Sequence, residues 1–484
     1  MSLRPLILAL CLLGLSAPLA EAQAESEMMN LLQIYELAVE NDPAIREARA
    51  NRDAAREAYP QARANLLPQL SLTVSYQDRT RERRVSQAGQ VPLDAARSDD
   101  TTTTYSLDLS QVIFDWGAFQ GMGRAQAEVA AAEADFEAAM QDLAIRTAEG
   151  YFDLLAALDQ LASSEANEEA ILRQRDRAER RFEVGLVAIT DVQEARAAYD
   201  QAVADRISAE RNVNVYRERL REIIGIYPGE IAAPIDDMDL QLPVPADPEA
   251  WVIQAQANNL NVVAARFDLE AAEKSLAQSR AGHYPTLELT ASYSDVESSG
   301  ETRIDEQDFR QPDFFEQELY QVQVQLNVPL FSGGRVSSQT TEARQRMLAQ
   351  TSRVERLARQ AEREARDAYL GVHSERSRVR ALAQAVESSQ TALTSTQAGF
   401  EVGTRTTVDV LDARRALFEA QTSYARSRYD FLLNKMRLRV ATGALNANDI
   451  MEINALLGAS PGAMVDDEEI DPEELDMEGL EPRT

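Results

Sequence analysis

The chain has 484 residues, with 49 Lys and Arg against 80 Asp and Glu, so its formal net charge is −31. This balance argues against binding to nucleic acid, which requires clustered cations. With two His and one Cys, the chain has few side chains that could bind a metal or act in catalysis. The sequence also has no phosphate-binding glycine loop, paired-histidine motif or nucleophile motif. We therefore expect neither an enzyme nor a cofactor.

The first residues have the pattern of a secretory signal peptide. Arg4 is followed by an apolar run from Leu6 to Leu15 and then by small residues at two spacings that suit cleavage after residue 22 or after residue 24. The alternative is a membrane anchor, although the run is shorter than the ~20 residues that span a bilayer. We predict a signal peptide over residues 1–22. Cys11 lies in it, so the mature chain would have no cysteine.

Each half of the chain is predicted to contain a helix, a strand, a polar loop, a second strand and a long helical stretch interrupted once. Apolar and polar residues alternate in the strands, as in Leu70, Leu72, Val74 and Tyr76. Such a strand suits a half-buried sheet of a soluble domain or the wall of a membrane barrel. Four strands cannot close a barrel, because the smallest have about eight, so several chains would have to share one.

The helical stretches carry seven-residue repeats. In the first stretch these are Met122, Val129, Phe136, Leu143 with Ala125, Ala132, Ala139. In the second they are Val192, Tyr199, Arg206, Val213, Leu220 with Ala195, Ala202, Ala209, Tyr216, Ile223. This period favours supercoiled neighbouring helices, or the seam of a plain helical bundle. No segment after the signal has about 18 uninterrupted apolar residues, so we expect strands to be the elements that enter a bilayer.

The chain contains one unit twice. The motif from Leu66 to Tyr76 recurs from His283 to Tyr293, and Phe182-Glu183-Val184-Gly185 recurs as Phe400-Glu401-Val402-Gly403. We predict repeats over residues 28–226 and 249–445, joined by a connector at 227–248. A short C-terminal segment follows at 446–460. Residues 461–484 contain ten acidic residues and one Arg, which predicts a disordered tail.

The stretch from Arg181 to Gln193 resembles the TolC family of outer-membrane efflux proteins, as do the stretches from Val402 to Ala413 and from Asn65 to Leu70. The resemblance covers the mature chain except for the acidic tail. It implies a mainly α fold with a membrane β-barrel: a trimeric twelve-stranded barrel, with four strands from each chain, continued by a long coiled-coil α-helical barrel. The connector and the C-terminal segment would form a band around the helices.

The function that this resemblance implies is an exit duct in the outer membrane of a Gram-negative bacterium, used for efflux or type I secretion. Implied partners are two further copies of the chain, a periplasmic adaptor protein, an inner-membrane transporter of the RND, ABC or MFS type, and outer-membrane lipid, with no nucleic acid. The cargo stays open between drugs and proteins. The alternative, a soluble periplasmic coiled-coil scaffold, leaves the strands unexplained.

The resemblance also implies a gate where the helical barrel narrows. Asp409 and Asp412 lie three residues apart and share a helix face, where three chains would gather their carboxylates around one cation-selective aperture. By their residue type alone they would be solvated surface acids. Thr190, Asp191 and Arg405 would latch the closed state. Phe400 stands where similar members carry a tyrosine, so the bond of that hydroxyl to Asp191 is lost.

Two glycine motifs resemble the adaptor-docking tips of the family. They are Val184, Gly185, Leu186 in the first repeat and Val402, Gly403, Thr404 in the second. Glycine lets the chain bend between two helices and lets a partner approach the backbone. The alternative is a simple break between helices, with no partner.

Overall fold

The computed structural model describes residues 28–85, 93–235, 238, 240–304 and 309–459. The predicted signal peptide and the acidic tail lie outside these residues. The helices are α1 (Leu31–Asn41), α2 (Pro43–Arg56), α3 (Ala58–Ala64), α4 (Trp116–Glu183), α5 (Ile189–Ile224), α6 (Pro248–Asn258), α7 (Leu260–Ala281), α8 (Arg335–Glu401), α9 (Thr407–Ala441) and α10 (Ala447–Asn454). The strands are β1 (Gln69–Val85), β2 (Leu93–Phe114), β3 (Ala233–Pro234), β4 (Thr286–Ile304), β5 (Phe309–Asn327) and β6 (Leu457–Ala459).

The order of helices and strands predicted for each repeat is confirmed, but the first helix of each repeat is divided. Asp42 ends α1 in an extended conformation and accepts a 2.7 Å hydrogen bond from the Ala44 backbone N–H, which caps α2. Pro43 follows at the first position of α2, where its missing N–H costs nothing. In the second repeat, Asn259 separates α6 from α7 in the same way.

The four long strands form one antiparallel sheet in the order β1-β2-β4-β5, so the β2–β4 pair joins the two repeats. Leu72 pairs with Leu107, Leu107 with Tyr293, and Tyr293 with Tyr320, which makes one apolar row across the sheet. The Tyr293 and Tyr320 ring centroids lie 4.7 Å apart. Among the described strands, β1 and β5 each pair on one side only, so both edges of the sheet are open there.

The helices that the structure describes leave both faces of this sheet uncovered. On the apolar face, Tyr320 is 72% exposed and Val322 is 75% exposed. The opposite face is polar, with Ser71, Ser110, Thr290, Gln321 and Gln323 lining a common surface. A sheet of a soluble domain would bury one face against a core. The alternating strands are therefore not explained by burial inside this chain.

The helices α4 and α8 have 68 and 67 residues. At 1.5 Å per residue, each is a rod of about 100 Å. α5 returns along α4, and α9 returns along α8. Six members of the seam predicted for α5 are buried: Val192, Ala195, Ala202, Ala209, Val213 and Leu220. The other four, Tyr199, Arg206, Tyr216 and Ile223, are half-buried. Among the helices of the described part of the chain, none combines the length and the apolar character that a transmembrane helix needs.

The seam predicted for the first half of α4 is only partly buried. Leu143 and Ala125 are buried, whereas Val129 and Phe136 are half-buried. α2, α3 and α7 all contact α4, so this half of the helix has several partners rather than one. The stripe with Ala127, Ala131 and Ala134 is buried as well. A single heptad seam describes a helix with one main neighbour, so it fits α5 more closely than this half of α4.

The largest buried core lies at the middle of the long helices, where the connector and the C-terminal segment meet them. β3 of the connector pairs with β6, which follows α10. The Tyr151 hydroxyl donates a 2.5 Å hydrogen bond to the Ala232 carbonyl, and Arg428 donates one of 2.5 Å to the Ile235 carbonyl. The Tyr429 hydroxyl donates to Asp159, and burial of Tyr429 raises its pKa well above the ordinary value. The first two bonds hold α4 and α9 to the connector, and the third holds α9 to α4.

Candidate functional site

Two matching turns join the long helices at the end of the molecule farthest from the sheet. At the end of α4, the Gly185 N–H donates to the Phe182 carbonyl and the Leu186 N–H donates to the Arg181 carbonyl. At the end of α8, Gly403 donates to Phe400 and Thr404 donates to the Gly399 carbonyl. Both are Schellman motifs. Gly185 and Gly403 have φ angles of +75° and +80°, which favour glycine.

The six residues of the two glycine motifs, which we call the tips, protrude into solvent. Val184, Leu186 and Val402 are 69%, 71% and 76% exposed. A Cβ atom built on Gly185 or on Gly403 would have no atom within 4 Å. Large apolar side chains beside an open backbone form a surface that a partner helix can contact closely. The structure thus places Val184, Gly185, Leu186, Val402, Gly403 and Thr404 where docking is sterically possible.

The helices that follow the tips are capped by acidic residues. Thr406 and Asp409 form a capping box: Asp409 accepts hydrogen bonds of 2.8 Å from the Thr406 N–H and 3.0 Å from its hydroxyl, and the Asp409 N–H donates to that hydroxyl. These bonds, with the nearby charge of Arg405, hold the pKa of Asp409 below its ordinary value. At the matching position of the first repeat, Asp191 accepts from the Ala188 N–H at 3.3 Å. Asp409 therefore has a structural task in addition to its charge.

The two predicted gate residues lie in the first turns of α9. Asp412 is exposed, and its carboxylate lies 3.4 Å from Arg415, one turn further along the helix. Such an exposed pair is weak and is screened by salt, so it leaves most of the negative charge available. Asp409 and Asp412 thus lie on one short helical segment of the chain. An aperture lined by several such pairs would require the assembly of several chains.

The predicted latch residue Phe400 contacts the other helix pair. The Arg181 guanidinium lies 4.9 Å from the centroid of its ring, in a cation–π arrangement. Phe400 also packs against the buried cluster of Leu393, Val410 and Leu417. The ring thus joins the α8–α9 pair to α4 without the hydroxyl that a tyrosine would supply.

The other predicted latch residues stay apart within one chain. Thr190 and Asp191 are in the first turn of α5. Arg405 packs its side chain against Gly399, where an added Cβ would lie 2.8 Å from the Arg405 Cγ. Among the described residues, Arg405 forms no ion pair with Asp191. The latch between Arg405, Thr190 and Asp191 therefore stays a prediction for contacts between chains.

The sequence reasoning missed two residues of this site, Arg181 and Gly399. They occupy the same position of the two repeats, directly before Phe182 and Phe400. The difference between them was visible in the sequence: a large cation stands in one copy and a glycine in the other. In the structure, the arginine reaches Phe400, and the glycine leaves room for Arg405.

Comparisons with known proteins agree with this architecture. The family described as "Outer membrane efflux protein" matches residues 34–226 and 251–444. Outer membrane protein TolC of Escherichia coli is 34% identical over 465 residues, which cover 94% of this chain and 89% of TolC. Alkaline protease secretion protein AprF of Pseudomonas aeruginosa is 30% identical over 441 residues, which cover 90% of this chain and 89% of AprF. The crystal structure of the outer membrane protein VceC from Vibrio cholerae superposes with a TM-score of 0.68 at 22% identity, covering 85% of this chain and 96% of VceC.

Proposed function

Because this chain belongs to the outer membrane efflux protein family, we propose that three copies of it form one duct that works with a periplasmic adaptor and an inner-membrane transporter. The protein is an outer-membrane channel for efflux and secretion, not an enzyme, and its helices extend into the periplasm. We further propose that the transporter is of the RND, ABC or MFS type and that single residues have the roles given below.

The observation that carries the trimer is the pair of open sheet edges. β1 and β5 each expose a row of unpaired backbone N–H and C=O groups. Within a bilayer such groups must be paired, because no water is present to hydrogen-bond them. Pairing β5 of one copy with β1 of the next would satisfy both edges. Three copies would close a barrel of twelve strands, a number within the range of outer-membrane barrels.

The apolar face of the sheet has the height that a lipid-facing wall needs. On β5 and just beyond it, the apolar row runs from Tyr320 through Val322, Val324 and Leu326 to Val328, all exposed. These eight residue steps span about 27 Å along the strand. At a tilt of about 40° the band would be about 20 Å tall, near the ~25 Å of outer-membrane barrels. Contact with outer-membrane lipid would cover these side chains.

We assign the roles at the far end of the helices from the resemblance and the geometry together. Asp409 and Asp412 would line the aperture, and Arg405, Thr190, Asp191 and Phe400 would hold it closed. The tips would receive the adaptor. The repeats at 28–226 and 249–445, with the connector 227–248 and the segment 446–460 as a band around the middle, would be the units that trimerise.

Two measurements test the duct. Membrane fractionation should place the mature protein in the outer membrane, and it should migrate as a trimer after mild detergent extraction. Cross-linking in the native cell should then capture an adaptor and a transporter, which also identifies the cargo class. Release of the protein with the soluble periplasm, as a monomer, would contradict the proposal and favour a scaffold.

A further inference from the structure

A cavity of about 490 Å³ between α4 and the α8–α9 pair is lined by five arginines. We call it the arginine groove; these residues are Arg173, Arg177, Arg180, Arg181 and Arg414. Glu401 is the acidic residue that lines it. Five cations in one groove are unexpected in a chain whose net charge is −31. The groove therefore has a local charge opposite to that of the whole molecule.

Two of these cations have no acidic partner in the part of the chain that the structure describes. Arg177 and Arg180 are exposed and form no ion pair among the described residues. Arg173 pairs with Glu169 at 2.6 Å, and Arg181 lies over the Phe400 ring. Uncompensated like charges held close together repel each other, and a polyanion would relieve that repulsion. The ligand that the groove fits is an acidic, extended segment.

The chain itself contains such a segment. Residues 461–484 carry ten acidic side chains and one Arg, a net charge of −9. They follow β6, which ends at Ala459 and pairs with Ala233. Such a segment is tethered to the same molecule as the groove, so its effective concentration is of the order of millimolar without any partner.

The tether is long enough to reach. The Pro234 carbonyl next to the β3–β6 pair accepts from Arg428, and the neighbouring Tyr429 contacts Asp159 of α4, so the tail starts near the level of Asp159. Arg177 lies 18 residues further along α4, about 27 Å away. Residue 474 is 15 residues beyond Ala459, which gives about 50 Å when extended and about 20 Å as a flexible coil. The distance to Arg177 lies between these two lengths, so the tether can bring the centre of the acidic segment to the height of the groove.

We propose that the acidic segment of residues 463–484 occupies the arginine groove of its own chain. Because α4 forms one side of the groove and the α8–α9 pair forms the other, the bound segment braces the two helix pairs against each other. Each exposed contact is weak alone, and the interaction is the sum of several pairs screened by salt. It requires neither an adaptor nor a transporter, so it is separable from the proposed function.

Cross-linking in the purified mature protein tests this proposal. The one cysteine of the sequence lies in the predicted signal, so introduced cysteines would be the only thiols. Gln174→Cys in the groove and Met477→Cys in the tail leave every charge in place. The matched control is Ala197→Cys, exposed at a similar height on α5, combined with Met477→Cys. A short bismaleimide and mass spectrometry of tryptic peptides report the yield.

We expect at least a fivefold higher yield for the groove pair than for the control pair at 50 mM NaCl. The excess should disappear at 0.5 M NaCl, and also after Arg177→Gln with Arg180→Gln, two exposed changes outside the buried core. Equal yields for the two pairs would overturn the proposal. So would an excess that persists after the two arginines are neutralised. Equal yields together with loss of adaptor binding in the Arg177→Gln, Arg180→Gln protein would assign the groove to a partner instead.

Discussion

The Arg181 guanidinium and the Phe400 ring lie 4.9 Å apart and connect a helix of the first repeat to a helix of the second. The contact sits directly above the two tips, where the helix pairs would have to separate for an aperture to open. It involves the face of the Phe400 ring, and no hydroxyl takes part. A helix of the first repeat is therefore joined to a helix of the second through the face of an aromatic ring.

We expect Arg181→Gln and Phe400→Leu to raise the conductance of the channel in planar bilayers, because each removes the cation–π contact. That contact is worth about 0.5–1 kcal/mol at an exposed site. The double variant should show little more effect than either single variant. Phe400→Tyr keeps the ring and serves as the matched control, with conductance no higher than that of the parent. Additive effects of Arg181→Gln and Phe400→Leu would show that the two side chains act separately.

Arg405→Ala should also raise the conductance, because the proposed latch to Thr190 and Asp191 of a neighbouring coil needs the guanidinium. An exposed ion pair contributes only ~0–1 kcal/mol, so the closed state should be weakened rather than lost. Arg405→Lys retains the charge and should restore part of the parent behaviour. Unchanged conductance in Arg405→Ala would remove Arg405 from the latch.

The gate aspartates are best tested with asparagine. Asp409→Ala would remove the capping box with Thr406 as well as the charge, whereas Asp409→Asn keeps an oxygen that can accept from the Thr406 N–H. We expect Asp409→Asn with Asp412→Asn to lower cation selectivity and block by multivalent cations, measured from reversal potentials in a salt gradient. The control Asp205→Asn, on α5 far from the tips, should change neither property. Unaltered selectivity in the double variant would contradict the gate assignment.

Substitutions at the tip glycines can distinguish a strained backbone from a blocked docking surface. At the positive φ of Gly403, alanine would cost about 1–2 kcal/mol, while asparagine tolerates this conformation better. A tryptophan at Gly185 or Gly403 should abolish efflux while the trimer still forms, since the Cβ direction is open to solvent. Gly403→Asn is the control and should retain more activity. Normal drug resistance with Gly403→Trp would indicate that the turn is only a helix break.

Alkaline pH should loosen the middle of the molecule. Burial, and then the charge of Asp159, raise the pKa of Tyr429, so its folded pKa lies above the unfolded value of about 10. The stability linked to this proton is fully present below about pH 10 and is lost as the pH rises through the folded pKa. Tyr429→Phe should cost about 1–3 kcal/mol at pH 8 and should flatten the loss of stability above about pH 10. Urea unfolding at a series of pH values measures the free energy of unfolding and its pH dependence. The control Tyr284→Phe, at an exposed tyrosine, should change neither quantity.

Much of this fold could be predicted because its signals are local and repeated. Around Leu72, alternate side chains face the same side of the strand, which gives a period of two. Around Val192 and Ala195, one helix face packs against another helix, which gives a period of seven. The division of α4 into a half with several partners and a half paired with α5 could not be predicted. Alanines such as Ala131 fit several faces equally well, and which face is buried depends on a helix more than a hundred residues away.

For the candidate site, the sequence located the tips and the acidic residues, because the two repeats carry the same motif at Gly185 and Gly403. It did not reveal the partner of Phe400. Arg181 is separated from it by more than two hundred residues, and no local rule relates them. The capping role of Asp409 is predictable from Thr406, three residues before it, whereas the family resemblance implies only a role for its charge.

The sequence by itself determined the duplicated unit, the four alternating strands, the long helices and the scarcity of catalytic residues, since composition and period suffice for these. Only the tertiary structure decided that the described helices leave both sheet faces uncovered, that Arg181 meets Phe400, and that five arginines gather in one groove. Each of these depends on which segments pack side by side. Packing is settled by long-range burial and chain connectivity, which no short window of sequence contains.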